Sequence, residues 1–183
     1  GDKYWSGLSL PMMSHGYEVQ MTPLQILAFY NAVANDGKMM RPRFVTEVRR
    51  NGTTIRRYEP EVIIHSIASR TTIRKAKKML EGVVEHGTAM NLKDADYRIA
   101  GKTGTAQIAK GRSGYRSGQR ILYQASFVGY FPAENPVYSC IVVVSAPSNS
   151  VYYGNLVAGP VFKEIADKVY STSFFRDYDQ LAG

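Results

Sequence analysis

Cysteine and long apolar runs are both scarce in this sequence. Its 183 residues include one cysteine, Cys140, so an internal disulfide and a metal site built from several thiolates are excluded, and the redox compartment stays open. The strongest apolar run, from Cys140 to Ala146, is interrupted by Ser145 and is far shorter than the roughly 20 residues of a membrane-spanning helix. The run is therefore predicted to be a core strand, with Cys140 as a small buried apolar residue.

Signals for export and for metal binding are missing as well. The first five residues, Gly1 to Trp5, have neither the basic start nor the apolar stretch of a signal peptide, so any targeting segment or membrane anchor is expected upstream. The three histidines, His15, His65 and His86, are far apart and have no ligand spacing. No metal site and no cofactor are implied, and His86 is expected to end a helix, where a partial positive charge suits the helix dipole.

The charge balance is strongly basic. Lys and Arg total 23 against 15 Asp and Glu, which gives a net charge of +8, and a polyanionic partner is one explanation. Arg49, Arg50, Arg56 and Arg57 flank Asn51-Gly52, where a tight turn would gather them at a solvated tip. No aromatic platform is interleaved with them, so nucleic-acid binding is not predicted. A solvated hairpin and attraction to an anionic envelope surface both agree with this charge.

Capping and turn residues divide the chain into helices and strands. Thr22-Pro23-Leu24-Gln25 is a reciprocal capping arrangement that starts a helix, Asn51-Gly52 is a strong hairpin turn, and the short connection from Pro132 to Pro136 implies an antiparallel pair. The predicted elements are a helix near 23–36, hairpin strands at 44–50 and 53–58, a helix at 71–86, strands at 97–108, 123–131 and 137–146, a helix led by Gly159-Pro160, and a polar tail at about 172–183. This order favours a single α+β domain with an antiparallel sheet and packed helices over a parallel, doubly wound fold.

The segment from Ile99 to Gln107 is the strongest candidate for chemistry. It contains Gly101-Lys102-Thr103, as a phosphate-binding loop would, but such a loop needs a glycine where Asp96 stands and a helix directly afterwards. The chain instead continues into Gly104 and β-branched residues. A strand is therefore predicted here, and a phosphate loop is not.

Strand geometry makes this segment suitable for binding a carboxylate. Side chains alternate, so Thr103 and Thr105 lie on one face and offer two hydroxyls to one ligand. Gly104 allows close approach of a backbone, and Lys102 supplies a positive charge that strengthens hydrogen bonds to an anion. The same residues occur on ordinary exposed strands, so the triplet alone does not decide function. Lys-Thr-Gly is, however, one of the three motifs of penicillin-binding proteins and serine β-lactamases.

Longer blocks around the strand resemble class B penicillin-binding proteins, in the same order and at suitable spacing. The resemblance covers most of the chain. The sequence near Ser14 and Phe29 is more similar to the septal, cell-division type than to the elongation type. The matching blocks are Ser14-His15-Gly16-Tyr17, Met21-Thr22-Pro23-Leu24-Gln25, Phe29-Tyr30-Asn31-Ala32 with its continuation to Gly37, Val83-Val84-Glu85-His86-Gly87-Thr88-Ala89, Ala100 to Gln107, and Phe127-Val128-Gly129-Tyr130-Phe131-Pro132.

This resemblance implies a transpeptidase-like fold and acyl transfer through a serine. In the family, the serine of a Ser-x-x-Lys motif attacks the penultimate D-Ala carbonyl of a peptidoglycan stem peptide, and an acceptor amine resolves the acyl-enzyme. β-Lactams mimic the donor peptide. Carried over to matching positions, Lys102 would steady the proton-transfer network and the substrate anion. Thr103 and Thr105, with Gly104 between them, would bind the terminal carboxylate, and the Thr105 N–H would be one oxyanion donor.

Two of the three catalytic motifs of that family are absent from this sequence. No serine is followed three residues later by lysine, and no Ser-x-Asn precedes Lys102. Tyr153-Gly154-Asn155 imitates the Tyr-x-Asn form of the second motif, but it follows the third motif and is predicted to be a turn. Residues 1–183 are therefore expected to be the C-terminal portion of one transpeptidase domain, with an exposed apolar face where the missing part packs. In isolation this portion is expected to be inactive and not to react with penicillin.

The resemblance also implies a cellular location, and it leaves alternative activities open. The parent protein would act on stem peptides at the extracytoplasmic face of the cytoplasmic membrane, with cell-division membrane proteins as candidate partners. The chain also fits a D,D-carboxypeptidase or β-lactamase-like hydrolase, or a non-catalytic module that binds peptidoglycan or a partner. The basic segment from Lys110 to Arg120 is expected to be a mobile loop that either touches the glycan or acceptor peptide or is a solvated connector.

Overall fold

The computed structural model describes residues 5–16, 19–93, 96–108, 116–117, 120–148 and 151–181. The helices in these ranges are α1 (Ser9–Ser14), α2 (Pro23–Ala34), α3 (Arg70–Glu85) and α4 (Gly154–Leu181), with a 3₁₀ turn at Met90–Leu92. The strands are β1 (Met39–Met40), β2 (Glu47–Arg50), β3 (Thr53–Arg57), β4 (Val62–Ile64), β5 (Ala100–Gln107), β6 (Arg116–Ser117), β7 (Arg120–Ile121), β8 (Tyr123–Phe131) and β9 (Tyr138–Ser145). Gly1 to Tyr4, Tyr17 and most of the predicted basic loop lie outside the described residues; at the end of that loop β6 pairs with β7.

The predicted starts of the first two helices, near residues 23 and 71, are confirmed by the caps of α2 and α3. The Thr22 side chain accepts a hydrogen bond from the Gln25 N–H, and the Gln25 side chain accepts one from the Thr22 N–H, with Pro23 at the first helical position. After α2, Gly37 adopts φ +92° and donates its N–H to the carbonyl of Ala32 at 2.7 Å, which ends the helix as a left-handed residue does. In α3 the cap is Ser69, which accepts from the N–H of Thr72.

The predicted hairpin forms around Asn51-Gly52. Both turn residues have positive φ, +50° and +80°, as a two-residue hairpin turn requires. The strands β2 and β3 pair antiparallel and are shorter than predicted. Every residue of β3 is exposed, and the Arg56 guanidinium stacks 4.5 Å from the centre of the Tyr58 ring. The arginines therefore lie on a solvated arm, as the turn predicts.

The central sheet has the order β5-β8-β9 and is antiparallel throughout. The predicted strand at 123–131 has the same bounds as β8, while the strands predicted at 97–108 and 137–146 are trimmed to 100–107 and 138–145. A second, two-stranded pairing of β1 with β4 was not predicted. The α+β fold with an antiparallel sheet and packed helices is confirmed.

Apolar side chains cover both faces of this sheet. On one face, a cluster from the sheet and α4 includes Phe127, Phe131 and Phe162, all buried. The Phe127 and Phe162 rings meet edge to face with centroids 4.7 Å apart. On the other face, Tyr130 packs with Ala34 of α2. Helices α2 and α4 thus bury apolar residues against opposite faces of the sheet, which is how an α+β layer structure forms its core.

Helix α4 begins earlier than predicted and extends further. The expected start at Gly159-Pro160 and the expected turn at Tyr153-Gly154-Asn155 are both wrong, because the helix already starts at Gly154 and contains Pro160. The N–H groups of Leu156 and Val157 donate to the carbonyl of Tyr153. Burial of Ala158 and Phe162 on one side of the helix outweighs the backbone hydrogen bond that proline cannot donate. The predicted polar tail is helical up to Leu181.

Candidate active site

The strand β5 is positioned by a pair of facing glycines. Gly101 in β5 lies opposite Gly129 in β8, and the buried Phe127 ring lies across them. A Cβ atom at Gly101 would lie 2.6 Å from the carbonyl oxygen of Val128 and 2.7 Å from Cζ of Phe127. No side chain fits there, so glycine is required for space. This pairing fixes the register of the four residues that follow, Lys102 to Thr105, which are the predicted site.

Thr103 and Thr105 share one face of β5, as strand alternation requires. Their partners in β8 are Phe127 and Ala125, and both partners are buried. Thr103 is half-buried and Thr105 is exposed. The two hydroxyls therefore lie at the rim of the core, reachable by a ligand, and neither is enclosed within it.

Lys102 brings its ammonium group back to the threonine that follows it. Its Nζ lies 2.9 Å from the carbonyl oxygen of Thr103 and 3.3 Å from the Thr103 hydroxyl oxygen. The side chain is exposed, and its long stem allows this reach although Lys102 starts on the opposite face of the strand. The structure thus brings the predicted cation and one predicted hydroxyl together.

Thr88 is a neighbour that sequence reasoning did not assign to the site. Its Oγ1 lies 3.1 Å from Oγ1 of Thr103, and either hydroxyl can be the donor. Thr88 lies shortly after α3, which ends at Glu85 with His86 as its C-cap, as predicted for that histidine. The block Val83 to Ala89 was noted for its resemblance alone, and nothing in its local pattern indicates a contact with a strand 15 residues later.

Gly154 is the second neighbour that the sequence reasoning missed. Its backbone N–H donates to Oγ1 of Thr105 at 3.2 Å, so the first residue of α4 meets the second predicted hydroxyl. The N-terminal end of a helix carries a partial positive charge. Together with Lys102, this end makes the surroundings of the two threonines favourable for an anion.

These groups together can hold a carboxylate. An ammonium group only donates hydrogen bonds, a carboxylate only accepts them, and a hydroxyl does both. Hydrogen bonds between a charged acceptor and such donors are among the stronger ones in proteins. Gly104, between the threonines, carries no side chain that would keep a ligand from the strand. The chemistry of Lys102, Thr103, Gly104 and Thr105 is therefore suited to binding an anion.

A family model for the penicillin-binding protein transpeptidase domain matches residues 1–167. The chain belongs to the penicillin-binding protein transpeptidase family. Among its relatives are the peptidoglycan D,D-transpeptidases FtsI of Buchnera aphidicola, 31% identical over 169 residues, and of Escherichia coli K12, also 31% identical over 169 residues. The penicillin-binding protein PbpB of Mycolicibacterium smegmatis is 33% identical over 171 residues. These relatives confirm the resemblance to class B penicillin-binding proteins.

A solved structure agrees with this family assignment. The apo structure of the TP domain from Burkholderia pseudomallei penicillin-binding protein 3 superposes with a TM-score of 0.70 at 32% identity, covering 93% of this chain and 48% of that one. The matches to the three relatives above include 91%, 92% and 88% of this chain, but only 27%, 26% and 26% of the relatives' own lengths. It thus spans about a quarter of the curated relatives and about half of the solved domain.

Two other side chains of the chain, Tyr97 and Cys140, have a raised pKa. In a cleft beside α4 the Tyr97 hydroxyl donates to Asp167 at 3.0 Å, and burial, followed by this bond, raises the pKa of Tyr97. Cys140 is half-buried, and burial raises the pKa of its thiol.

Among the described residues no three His, Cys, Asp or Glu side chains gather as metal ligands do. Within the same ranges, none of the helices has both the length and the apolar character needed to cross a bilayer.

Proposed function

We propose that this chain forms the substrate-binding wall of a peptidoglycan D,D-transpeptidase. The observation that carries the proposal has two parts: the Lys102 ammonium contacts Thr103, and the Thr103 and Thr105 hydroxyls lie on one face of the same strand. The terminal carboxylate of a stem peptide matches this surface in charge and in hydrogen-bonding character. The printed names of the FtsI relatives support the same substrate class.

The reaction is acyl transfer, and the residues of this chain bind and orient the donor. A serine oxygen forms a bond to the penultimate D-Ala carbonyl carbon, the amide C–N bond to the terminal D-Ala breaks, and the serine proton passes to the leaving amine. An acceptor amine then forms a new amide with the acyl group, and the proton that it loses returns to the serine oxygen as the ester bond breaks. Thr103 and Thr105 hold the carboxylate of the donor. Lys102 provides a positive charge beside this carboxylate and stabilises the network of groups that transfers the proton. The Thr105 N–H serves as one donor to the oxyanion.

The nucleophile is supplied by residues outside this sequence, and we propose that residues 1–183 are the C-terminal portion of the transpeptidase domain. The absence of Ser-x-x-Lys and the coverage of about half of a solved TP domain support this. Exposed large apolar side chains in the first part of the chain also support it, since they have the character of a surface that packs against more protein. These side chains are Trp5, Leu8, Leu10, Met12, Val19, Met21, Leu24 and Phe29.

The setting of the reaction is proposed from the relatives. FtsI relatives and the resemblance near Ser14 and Phe29 favour a role in cross-linking during cell division. The catalytic portion works at the extracytoplasmic face of the cytoplasmic membrane, where stem peptides are available, and its partners include membrane proteins of the division machinery. β-Lactams react only with the protein that also carries the serine.

The experiment measures the second-order rate of acylation of the full-length protein by a labelled penicillin. Thr103→Val and Thr105→Val keep the shape of the side chain and remove the hydroxyl. Each lost hydrogen bond to a charged group is worth ~1.5–3 kcal/mol, so each rate should fall by about 10- to 150-fold. Thr53→Val, on the exposed hairpin strand, is the matched control and should leave the rate unchanged. Unchanged rates in the two β5 variants would refute the proposed wall.

Product analysis separates the alternative activities. With a stem-peptide donor and an amine acceptor, a transpeptidase yields the cross-linked peptide and free D-Ala. A D,D-carboxypeptidase or β-lactamase-like hydrolase yields only the hydrolysed donor, because water resolves the acyl group. A non-catalytic binding module yields neither, and full-length protein that retains the donor peptide without turnover would replace the enzyme proposal with that one.

A further inference from the structure

Gly154 lies against the backbone of the proposed substrate strand. A Cβ atom at this position would collide with the carbonyl oxygen of Ser126, and it would lie 2.7 Å from the carbonyl oxygen and 3.1 Å from the nitrogen of Gly104. All three are backbone atoms of paired strands, which cannot swing aside as the tip of a side chain can. A glycine at 154 is therefore required for space: it allows α4 to begin in direct contact with β5.

The same helix contains a glycine without this constraint. At Gly159 an added Cβ would lie 3.4 Å from the two methyl carbons of Leu92, which is ordinary van der Waals contact with a flexible side chain. Gly154 and Gly159 thus differ in their surroundings while they share a helix. This difference supplies a matched pair of variants.

The contact between Gly154 and Thr105 has a defined direction. The Gly154 N–H can only donate, so in their 3.2 Å hydrogen bond the Thr105 hydroxyl oxygen accepts. A hydroxyl that accepts in this way keeps its own proton for another partner. Thr105 is exposed, so that partner can come from solvent or from a ligand. A carboxylate, which only accepts, is the complementary ligand for a hydroxyl held as a donor.

The start of α4 is itself held in place. The Tyr152 ring stacks on the ring of Tyr123, with centroids 3.9 Å apart and planes 9° apart, and Tyr123 is the first residue of β8. On the other side of Gly154, the buried Ala158 and Phe162 fix the helix on the sheet. The Gly154 N–H is therefore presented to Thr105 from a segment that is anchored at both ends.

We propose that Gly154 is a positioning residue of the substrate site: its N–H holds the Thr105 hydroxyl as a donor toward the substrate carboxylate, and its missing side chain allows that approach. The inference rests on the proposed function, since it assigns a partner to one of the proposed carboxylate ligands. The proposed substrate site therefore includes the first residue of α4 in addition to the Lys-Thr-Gly residues of β5. Gly154 acts through Thr105 and does not touch the reacting atoms.

The test compares two donor peptides in the full-length protein, one ending in a free D-Ala carboxylate and the other in its C-terminal amide. The quantity measured is the ratio of their kcat/KM values, which a general loss of folded protein does not change. Wild type should prefer the carboxylate, Gly154→Ala should lose about 10-fold or more of that preference, and Gly159→Ala should retain it. Thr105→Val should lose the preference too, and adding Gly154→Ala to it should change the ratio no further, because both act on one interaction.

The outcomes separate this inference from the proposed function. A wild-type protein that does not distinguish the two peptides would refute the proposed function, in which Lys102, Thr103 and Thr105 bind the donor carboxylate. A wild type that prefers the carboxylate, with a Gly154→Ala variant that keeps the preference, would overturn the role of Gly154 alone. Additive losses in the double variant would also overturn it.

A second measurement does not depend on the folding of Gly154→Ala. Hydrogen exchange at the Gly154 amide is followed in wild type, Thr105→Ser and Thr105→Val of the full-length protein. The serine keeps the accepting oxygen, so protection should persist, whereas valine removes it and exchange should accelerate about 5-fold or more. Equal exchange in all three proteins would show that the hydrogen bond does not form and would overturn the inference.

Discussion

Removal of the Phe127 ring should destabilise the chain more than any single change on its surface. Phe127 is fully buried, meets Phe162 edge to face at 4.7 Å, and lies over the facing glycines that fix the register of β5. Truncation of a buried phenylalanine to alanine costs ~3–5 kcal/mol, because transfer energy is lost and a cavity remains. Within that loss, the aromatic pair accounts for about 0.5–1.5 kcal/mol. The total is a large share of the ~5–15 kcal/mol that stabilises a typical domain.

Urea denaturation of this chain provides the measurement for Phe127→Ala. Thermal unfolding should agree, with a midpoint lowered by ~6–20 °C, since each kcal/mol shifts a domain of this size by about 2–4 °C. Phe127→Leu should fall between wild type and alanine. Phe44→Ala is the matched control, because Phe44 is 84% exposed and its loss should stay within about 0.5 kcal/mol. A loss below ~1 kcal/mol for Phe127→Ala, or one equal to that of Phe44→Ala, would refute the packing argument.

Two further predictions concern reactivity and pH. The isolated chain should show no mass increase after incubation with penicillin, since it has no Ser-x-x-Lys serine; a covalent adduct in the intact mass spectrum would contradict the assignment of the nucleophile to other residues. The hydrogen bonds from Arg41 lower the pKa of Glu61 below its usual 4.5, so the pair's contribution to stability is present above the unfolded-state pKa and is lost as the pH falls through the folded-state pKa. In an NMR titration, Arg41→Gln should raise the pKa of Glu61 toward the usual value, and identical titrations in the two proteins would show that the pair does not form.

Local chemistry made the larger part of the fold predictable. The capping box at Thr22 and the turn at Asn51-Gly52 set structure within a few residues, and both formed as expected. The bounds of β8 were predicted because a segment with four aromatic residues and Val128 ends at Pro132. The pairing of β1 with β4 was not predicted, since strands of two and three residues have no period to detect.

Only the site residues that lie together on one segment could be predicted from the sequence. Lys102, Thr103 and Thr105 lie on one strand, so alternation and charge were enough to group them. Thr88 and Gly154 reach the same place through the packing of α3 and α4 on the sheet. Such contacts depend on tertiary structure, which local sequence does not encode, and the start of α4 at Gly154 was mistaken for a turn for the same reason.

The place of β5 at the end of the strand order has a consequence for the behaviour of the polypeptide in solution. Among the described residues, β5 pairs with β8 alone and is an edge strand of the sheet. An open strand edge invites a second copy to align with it and to begin a growing stack, and a lysine at such an edge opposes this by bringing like charges together. Lys102 stands within that edge and is exposed. The ammonium that we assign to the substrate thus also discourages self-association whenever the edge is vacant.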